Sequence, residues 1–356
     1  VGCTYAEVEA KDFSAWSPLL RYAGVVLEGG NGRLQSWASL HRHRVVMMTT
    51  QAQLQALTLR GAAMADGGIP KVAFGQVDGR VRWRLVRDGW RFDAPELRVG
   101  HGSQQQVLDG LMIAGGRRYG MLAKQVDAAP LFAVLGLSDR VQPGMRSWLA
   151  RARPNARLAE LEIVGSQNGG MRGQGRVLEV GFAPVGHAPG MSGLAGRFLG
   201  DADGVRLQLD SASKLRFDWP SGFGVVHDVT LDGQIVGWRE GAGWRVGTSA
   251  LRVRGKEYGA HVRGGMWFQN DGTRPWIDLA ADLDPAPVPA AKGFWIHQSM
   301  PKAAVDWLNG ALVSGEVRNG RAIVSGDLDD WPFDNHNGRF EAVADIVDGQ
   351  IKFQPE

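Results

Sequence analysis

The chain has 356 residues, 44% hydrophobic and 22% charged, with a net charge of +3 and a pI of about 9.1. That length exceeds what one hydrophobic core usually organises, and the composition excludes a disordered chain. Basic residues alternate with apolar ones instead of clustering, so no nucleic-acid footprint is present, and a single cysteine, Cys3, excludes an internal disulfide or a thiolate metal cage.

The N-terminal part, residues 1–75, reads as strands. Residues 32–37 follow a turn, residues 45–59 have the length of two strands, and residues 16–20 fit a short helix or a loop. Next, Val81, Trp83 and Leu85 alternate with Arg80, Arg82 and Arg84. Short helices are expected at residues 128–135 and 144–151, the first with Pro130 in its opening turn. Val205, Leu207 and Leu209 then alternate with Arg206, Gln208 and Asp210, and Ile277, Leu279, Ala281 and Leu283 with Asp278, Ala280 and Asp282. A second helical pair is expected at residues 289–295 and 302–312. Period-two alternation places one face in an apolar environment and the other in water, as in antiparallel sheets solvated on one side. Asp78-Gly79, Asp232-Gly233, Asp271-Gly272, Asn319-Gly320, Asn337-Gly338 and Asp348-Gly349 lie between apolar runs and predict hairpin turns.

A pattern occurs twice. Trp90-Arg91-Phe92 opens a run of strands that ends in a helix around Trp148, and Trp244-Arg245-Val246 opens another that ends in a helix around Trp307. The opening tryptophans are 154 residues apart and the helix tryptophans 159 apart. Two long, strand-rich repeats, expected over 76–230 and 231–356 without a flexible linker, suggest a sheet that grows by accretion. The expected fold is mainly β: an elongated, curved antiparallel sheet forming a trough, with the short helices as covers. Trp83, Trp90, Trp238 and Trp244 are read as occupying matching places in the repeats, in a packing role.

Signatures of catalysis are missing. His41 and His43 are placed on one strand face but lack a third metal ligand, and a solvated strand edge is the expected role. Ser211-Ala212-Ser213-Lys214 lacks the companion elements of penicillin-recognising enzymes. Asp201-Ala202-Asp203-Gly204 lacks the later glutamate of a calcium loop and reads as a turn; Asp327, Asp329 and Asp330 read as a strand end beside Gly326 and Trp331-Pro332. No nucleophile elbow, P-loop, dinucleotide fingerprint or His-Glu-x-x-His occurs. The expectation is a non-enzyme with no metal and no cofactor. The chain has no signal peptide and no apolar run long enough to span a membrane. It begins with Val and stops within a strand-like stretch, so both ends read as cut points in a longer protein.

The C-terminal stretch carries a more specific likeness. Met300-Pro301, Trp307-Leu308-Asn309-Gly310-Ala311-Leu312, Gly315 and Gly320 precede Gly326-Asp327-Leu328-Asp329-Asp330-Trp331-Pro332-Phe333, Gly338-Arg339-Phe340 and Phe353-Gln354-Pro355. This order resembles the central region of the YhdP-like proteins, members of the AsmA-like group in Gram-negative bacteria. Leu251-Arg252-Val253, Pro275-Trp276-Ile277-Asp278-Leu279 and Gly32-Arg33-Leu34-Gln35-Ser36-Trp37 are similar to the same family. The resemblance implies a trough with an apolar lining, anchored in the inner membrane by a helix outside this chain, projecting through the periplasm and moving phospholipid towards the outer membrane. The implied partners are phospholipid acyl chains and the inner membrane, with contact to the outer membrane left open.

The physics of the alternation agrees with a trough. Four short helices cannot cover so many strands, and an uncovered apolar strip normally marks a ligand or partner surface. The candidate lipid contacts are Val81, Trp83, Leu85, Val205, Leu207, Leu209, Ile277, Leu279 and Leu283. Two alternatives remain open at this point: a structural spacer whose apolar face is closed by its own side chains, and a carbohydrate-binding β-protein, whose sign would be a planar row of exposed tryptophans on the outer face.

Overall fold

A computed structural model of the chain describes residues 2–18, 21–100 and 105–354. It falls into two compact units, Val1–Phe182 and Ala183–Glu356. The first contains β1 (Gly2–Ala10), β2 (Arg21–Tyr22), β3 (Val25–His41), β4 (Arg44–Arg60), β5 (Lys71–Val86), β6 (Gly89–Gly100), β7 (Gln106–Gly116), β8 (Arg118–Asp127), β9 (Asn155–Ser166) and β10 (Gly169–Phe182), with helices α1 (Ala129–Leu135) and α2 (Pro143–Ala152) between β8 and β9. The second contains β11 (Gly190–Asp201), β12 (Gly204–Leu209), β13 (Lys214–Asp218), β14 (Val226–Glu240), β15 (Gly243–Arg254), β16 (Gly259–Phe268), β17 (Trp276–Leu283), β18 (Ala286–Pro287), β19 (Leu312–Asp327) and β20 (Arg339–Ile351). A 3₁₀ segment, Val288–Phe294, and helix α3 (Lys302–Ala311) lie between β18 and β19.

The protein is therefore mainly β, and the pairings within each unit are antiparallel and follow chain order. In the first unit β1 and β2 both pair with β3, and each strand from β3 to β10 then pairs with the next. In the second, β11 pairs with β12 and β13, both of which pair with β14; β14 to β17 follow in sequence, β17 pairs with β19, and β19 with β20. This is a meander, the arrangement that alternation with tight turns favours.

Several expectations are corrected. Residues 45–59 form one strand, β4, because the apolar alternation crosses Gln51–Gln55 without a turn residue. Of the six Asn/Asp-Gly pairs, only Asp271-Gly272 and Asn337-Gly338 lie between strands; the other four lie inside β5, β14, β19 and β20. Three of those four sit at register shifts and supply positive φ: Gly233 (133°), Asn319 (52°) and Asp348 (50°). A bulge and a hairpin turn use the same left-handed backbone, so the dipeptide alone cannot separate them. His43 lies in the β3–β4 turn with φ 63°, not on a strand face with His41. Of the helix-or-loop expectation at 16–20, Trp16 ends a short 3₁₀ turn (Ser14–Trp16), Ser17 and Pro18 continue as a turn, and Leu19 and Leu20 lie outside the described residues. Trp90 and Trp244 do match, each being the second residue of its strand after a hairpin.

Each unit has helical cover at the end where the long connections lie. In the first, Arg146 of α2 is only 5% exposed. Its guanidinium donates to three carbonyls: Ala62 O (2.5 Å), Ala63 O (3.0 Å) and Gly136 O (3.2 Å). Those bonds tie the end of α1 to the segment after β4, where Leu137 packs against Gly61 so closely that a Cβ there would stand 2.9 Å from the Leu137 Cα. In the second unit His227 of β14 is the buried polar anchor. It hydrogen-bonds Tyr258 Oη through Nδ1 (2.7 Å) and Gly293 O through Nε2 (2.8 Å), and its ring stacks on Phe294 at 4.7 Å.

Replacing Arg146 by Met leaves three carbonyls short of donors and is expected to destabilise the first unit by about 3 kcal/mol. The neighbouring Arg151→Met, in an exposed side chain of the same helix, should stay within about 0.5 kcal/mol. Urea unfolding followed by circular dichroism checks both.

Candidate functional site

Antiparallel register decides which side chains share a face, because directly opposed residues point the same way. In the first unit one row crosses nine strands: Thr4, Ala38, Met48, Trp83, Phe92, Ile113, Met121, Ile163 and Gly173. Val81 lies beside this row against Thr50, and Leu85 opposes Trp90, which opposes Gly115. The Trp90 indole lies over Gly115; a Cβ there would stand 2.5 Å from the ring. Tyr119 covers Gly165 in the same manner. The glycines thus make room for aromatic rings on this apolar face.

The second unit repeats the construction. Gly200, Val205, Gly237, Val246, Met266, Ile277 and Gly326 form one row. Phe198, Leu207 and Ile235 lie next to it on one side of a β14–β15 bulge, and Gly264, Leu279, Val324 and Phe340 on the other. Leu283 opposes Ala260.

Exposure varies along the strands of both faces. Towards the helical end the apolar side chains are buried: Val99, Leu108, Val126 and Ala156 in the first unit, Val229 and Val288 in the second. Towards the hairpin end they are open. Met48, Leu85 and Trp90 are 42%, 47% and 38% exposed, and Val205, Trp244 and Phe340 are 41%, 41% and 56% exposed. The helices therefore cover one end of each apolar face and leave the other to solvent.

The opposite face is polar and carries charged pairs. Arg33 pairs with Glu7, Arg91 with Asp93 (2.7 Å), Arg157 with Glu179 (2.6 Å) and Arg252 with Asp284 (2.8 Å), while Gln174 donates to Glu162 (2.8 Å). The hydrogen bond from Tyr5, followed by that from Arg33, holds the Glu7 carboxyl below the usual carboxylate range. The Arg252 guanidinium does the same for Asp284. Such exposed pairs contribute little stability individually. They keep this face wet, which fixes the other as the dry one.

The nine sequence-derived candidates fall as follows. Val81, Trp83 and Leu85 share the apolar face of the first unit, and the other six share that of the second. Leu209 is 6% exposed and packs as core, so its side chain does not face the opening. Met48, Phe92, Val246, Met266 and Phe340 belong to the same faces but stand in less regular sequence; only the strand register brings them in. Trp83 and Trp238 are not equivalent, because Trp83 opposes Phe92 on the apolar face and Trp238 opposes Arg245 on the polar one. No group of His, Cys, Asp or Glu among the described residues is arranged to hold a metal ion, and no helix among them is long and apolar enough to cross a membrane.

Antiparallel meanders whose apolar face, in each unit, is capped at one end and open at the other define a β-groove protein. The chain belongs to the YhdP family: the family model described as YhdP protein matches residues 1–356. It is 21% identical over 286 residues to the intermembrane phospholipid transporter YhdP of Escherichia coli (strain K12), a match covering 75% of this chain and 22% of that protein. The chain thus spans about a fifth of its relative's length. No solved structure matches it.

Charges placed on the open end of the apolar face should be tolerated. Leu85→Asp and Val205→Asp are expected to cost under about 1 kcal/mol and to lower the binding of an apolar fluorescent dye. Leu108→Asp, at a site 3% exposed, should cost more than about 4 kcal/mol by burying a carboxylate. Chemical denaturation with parallel dye titration distinguishes the two ends.

Proposed function

We propose that this chain is a segment of the hydrophobic groove of a phospholipid transfer protein, acting in the periplasm and anchored to the inner membrane through parts outside it. Acyl chains lie on the apolar faces, among them against Val81, Trp83, Leu85, Val205, Leu207, Ile277, Leu279 and Leu283. The observation that carries this reading is the open half of each apolar face, where Leu85 and Val205 are 47% and 41% exposed on a sheet whose other face is charged. The transport role named for the E. coli relative supports the choice of phospholipid. Support for outer-membrane barrier function as the outcome comes from the family resemblance.

The energetics favour entry. Each methylene moved from water onto the apolar face contributes about 0.8 kcal/mol. Nine strands at about 4.8 Å spacing make the first unit's face about 38 Å across, while one leaflet's acyl layer is about 15 Å thick. A lipid therefore covers only part of the face and meets similar side chains when it shifts. Movement requires no bond making or breaking, and the protein acts as a conduit with no enzymatic step and no cofactor.

Native mass spectrometry with lipid extraction tests this reading. The wild-type chain is expected to carry phospholipid, and Leu207→Asp or Leu279→Asp to lose it while retaining the wild-type circular dichroism spectrum. A lipid-free mass, with no uptake from phospholipid vesicles, would overturn the groove assignment and favour a structural spacer.

A further inference from the structure

The polar face of the second unit holds a feature that lipid transfer leaves unused. Trp238, Arg245, Trp267 and Trp276 oppose one another in a single row across β14, β15, β16 and β17. Strand spacing puts neighbouring members about 5 Å apart, and Trp238 and Trp267 about 10 Å apart. The two outer indoles are open, Trp238 at 41% and Trp276 at 38% exposure. The guanidinium of Arg245 lies over the Trp267 ring at 5.0 Å and is paired with Glu240.

Next to this row the surface drops into a cleft of about 450 Å³, within the range of small-ligand sites. Its floor is the opposed pair Gly247 and Gly265. A Cβ on Gly265 would stand 2.4 Å from Val246 O and 2.8 Å from the Gly247 Cα, so the backbones approach too closely for any other residue. Polar groups line the same cleft: Asp278, which has no partner among the described residues, and Ser249. The Trp267 Nε1–H is buried and has no acceptor among the described residues. A buried donor left unpaired is unfavourable, and a ligand oxygen entering beside Arg245 would satisfy it.

We infer that this cleft is a saccharide-binding site on the face opposite the apolar groove, and that it takes an extended β-1,4-linked oligosaccharide. The two open indoles, Trp238 and Trp276, lie three strand spacings or about 15 Å apart and offer stacking to two pyranose rings of one chain, a span that an extended β-1,4 strand reaches and a coiled α-linked one does not. The charge at the cleft selects against phosphate: Glu240 neutralises Arg245, and Asp278 adds a carboxylate, which leaves the site net negative. The same carboxylate and Ser249 suit hydroxyl and amide donors. Stacking surface, an unpaired indole donor and an anion-repelling rim together fit a neutral polyhydroxyl chain better than a lipid headgroup or a nucleic acid.

The test is titration of the 356-residue chain with cellohexaose, chitohexaose and maltohexaose, read by calorimetry and tryptophan fluorescence. Saturable binding of a β-1,4 oligomer is expected, weakened about tenfold by Trp238→Ala and again by Trp276→Ala, and unaffected by Trp90→Phe on the apolar face of the first unit. Asp278→Asn, an isosteric change at an exposed position, should weaken it severalfold and decides the matter if a tryptophan variant does not fold. No saturable binding of either β-1,4 oligomer, equal affinity for maltohexaose, or unchanged affinity in Asp278→Asn would overturn the assignment. Phospholipid load, measured on the same samples by native mass spectrometry, should be unchanged in the cleft variants; joint loss of both ligands would overturn a separate site.

Discussion

The fold depends on one constraint: a single-layer sheet whose side chains alternate has an apolar face that water disfavours and little to cover it with. A sandwich answers by stacking a second sheet, and a doubly wound fold by adding helices to both faces. Here, among the described residues, three short α-helices and a 3₁₀ segment bury the end near Leu108, Val126, Val229 and Val288. The buried anchors Arg146 and His227 hold those covers in place with hydrogen bonds to backbone or tyrosine, which is how a polar side chain persists in such a position. The uncovered remainder is the surface to which a function attaches.

Much of this was legible in the chain itself, for a physical reason. Period-two alternation at 81–85, 205–209 and 277–283 is dictated by the pleat, so the strands, their two-faced character and the apolar candidates could be read directly. The helical pairs were legible from proline placement and short apolar runs. Turns were less so: Asp232-Gly233 and Asn319-Gly320 have the chemistry of a hairpin and the place of a bulge, and what separates them is whether the flanking strands continue their pairing, a long-range fact.

Registers account for what the chain concealed. Trp83 and Trp238 look alike in sequence, each next to an arginine, yet Trp83 opposes Phe92 on the apolar face of its unit and Trp238 opposes Arg245 on the polar face of its own. The alignment of Trp238, Trp267 and Trp276 spans residues from three hairpins and emerges only once all three registers are known.

The chain-order pairing has a consequence for how the protein is made. From β3 to β10 every strand bonds to the one synthesised just before it, and the same holds from β14 to β17. Contacts are therefore short in sequence separation for a β protein, and loop closure costs little at each step. Each finished strand is a template edge for its successor, so folding can advance from the N-terminus while later residues are still emerging. An added hairpin at such an edge would lengthen the groove without re-pairing any strand already in place, and groove length becomes a quantity that evolution can change two strands at a time.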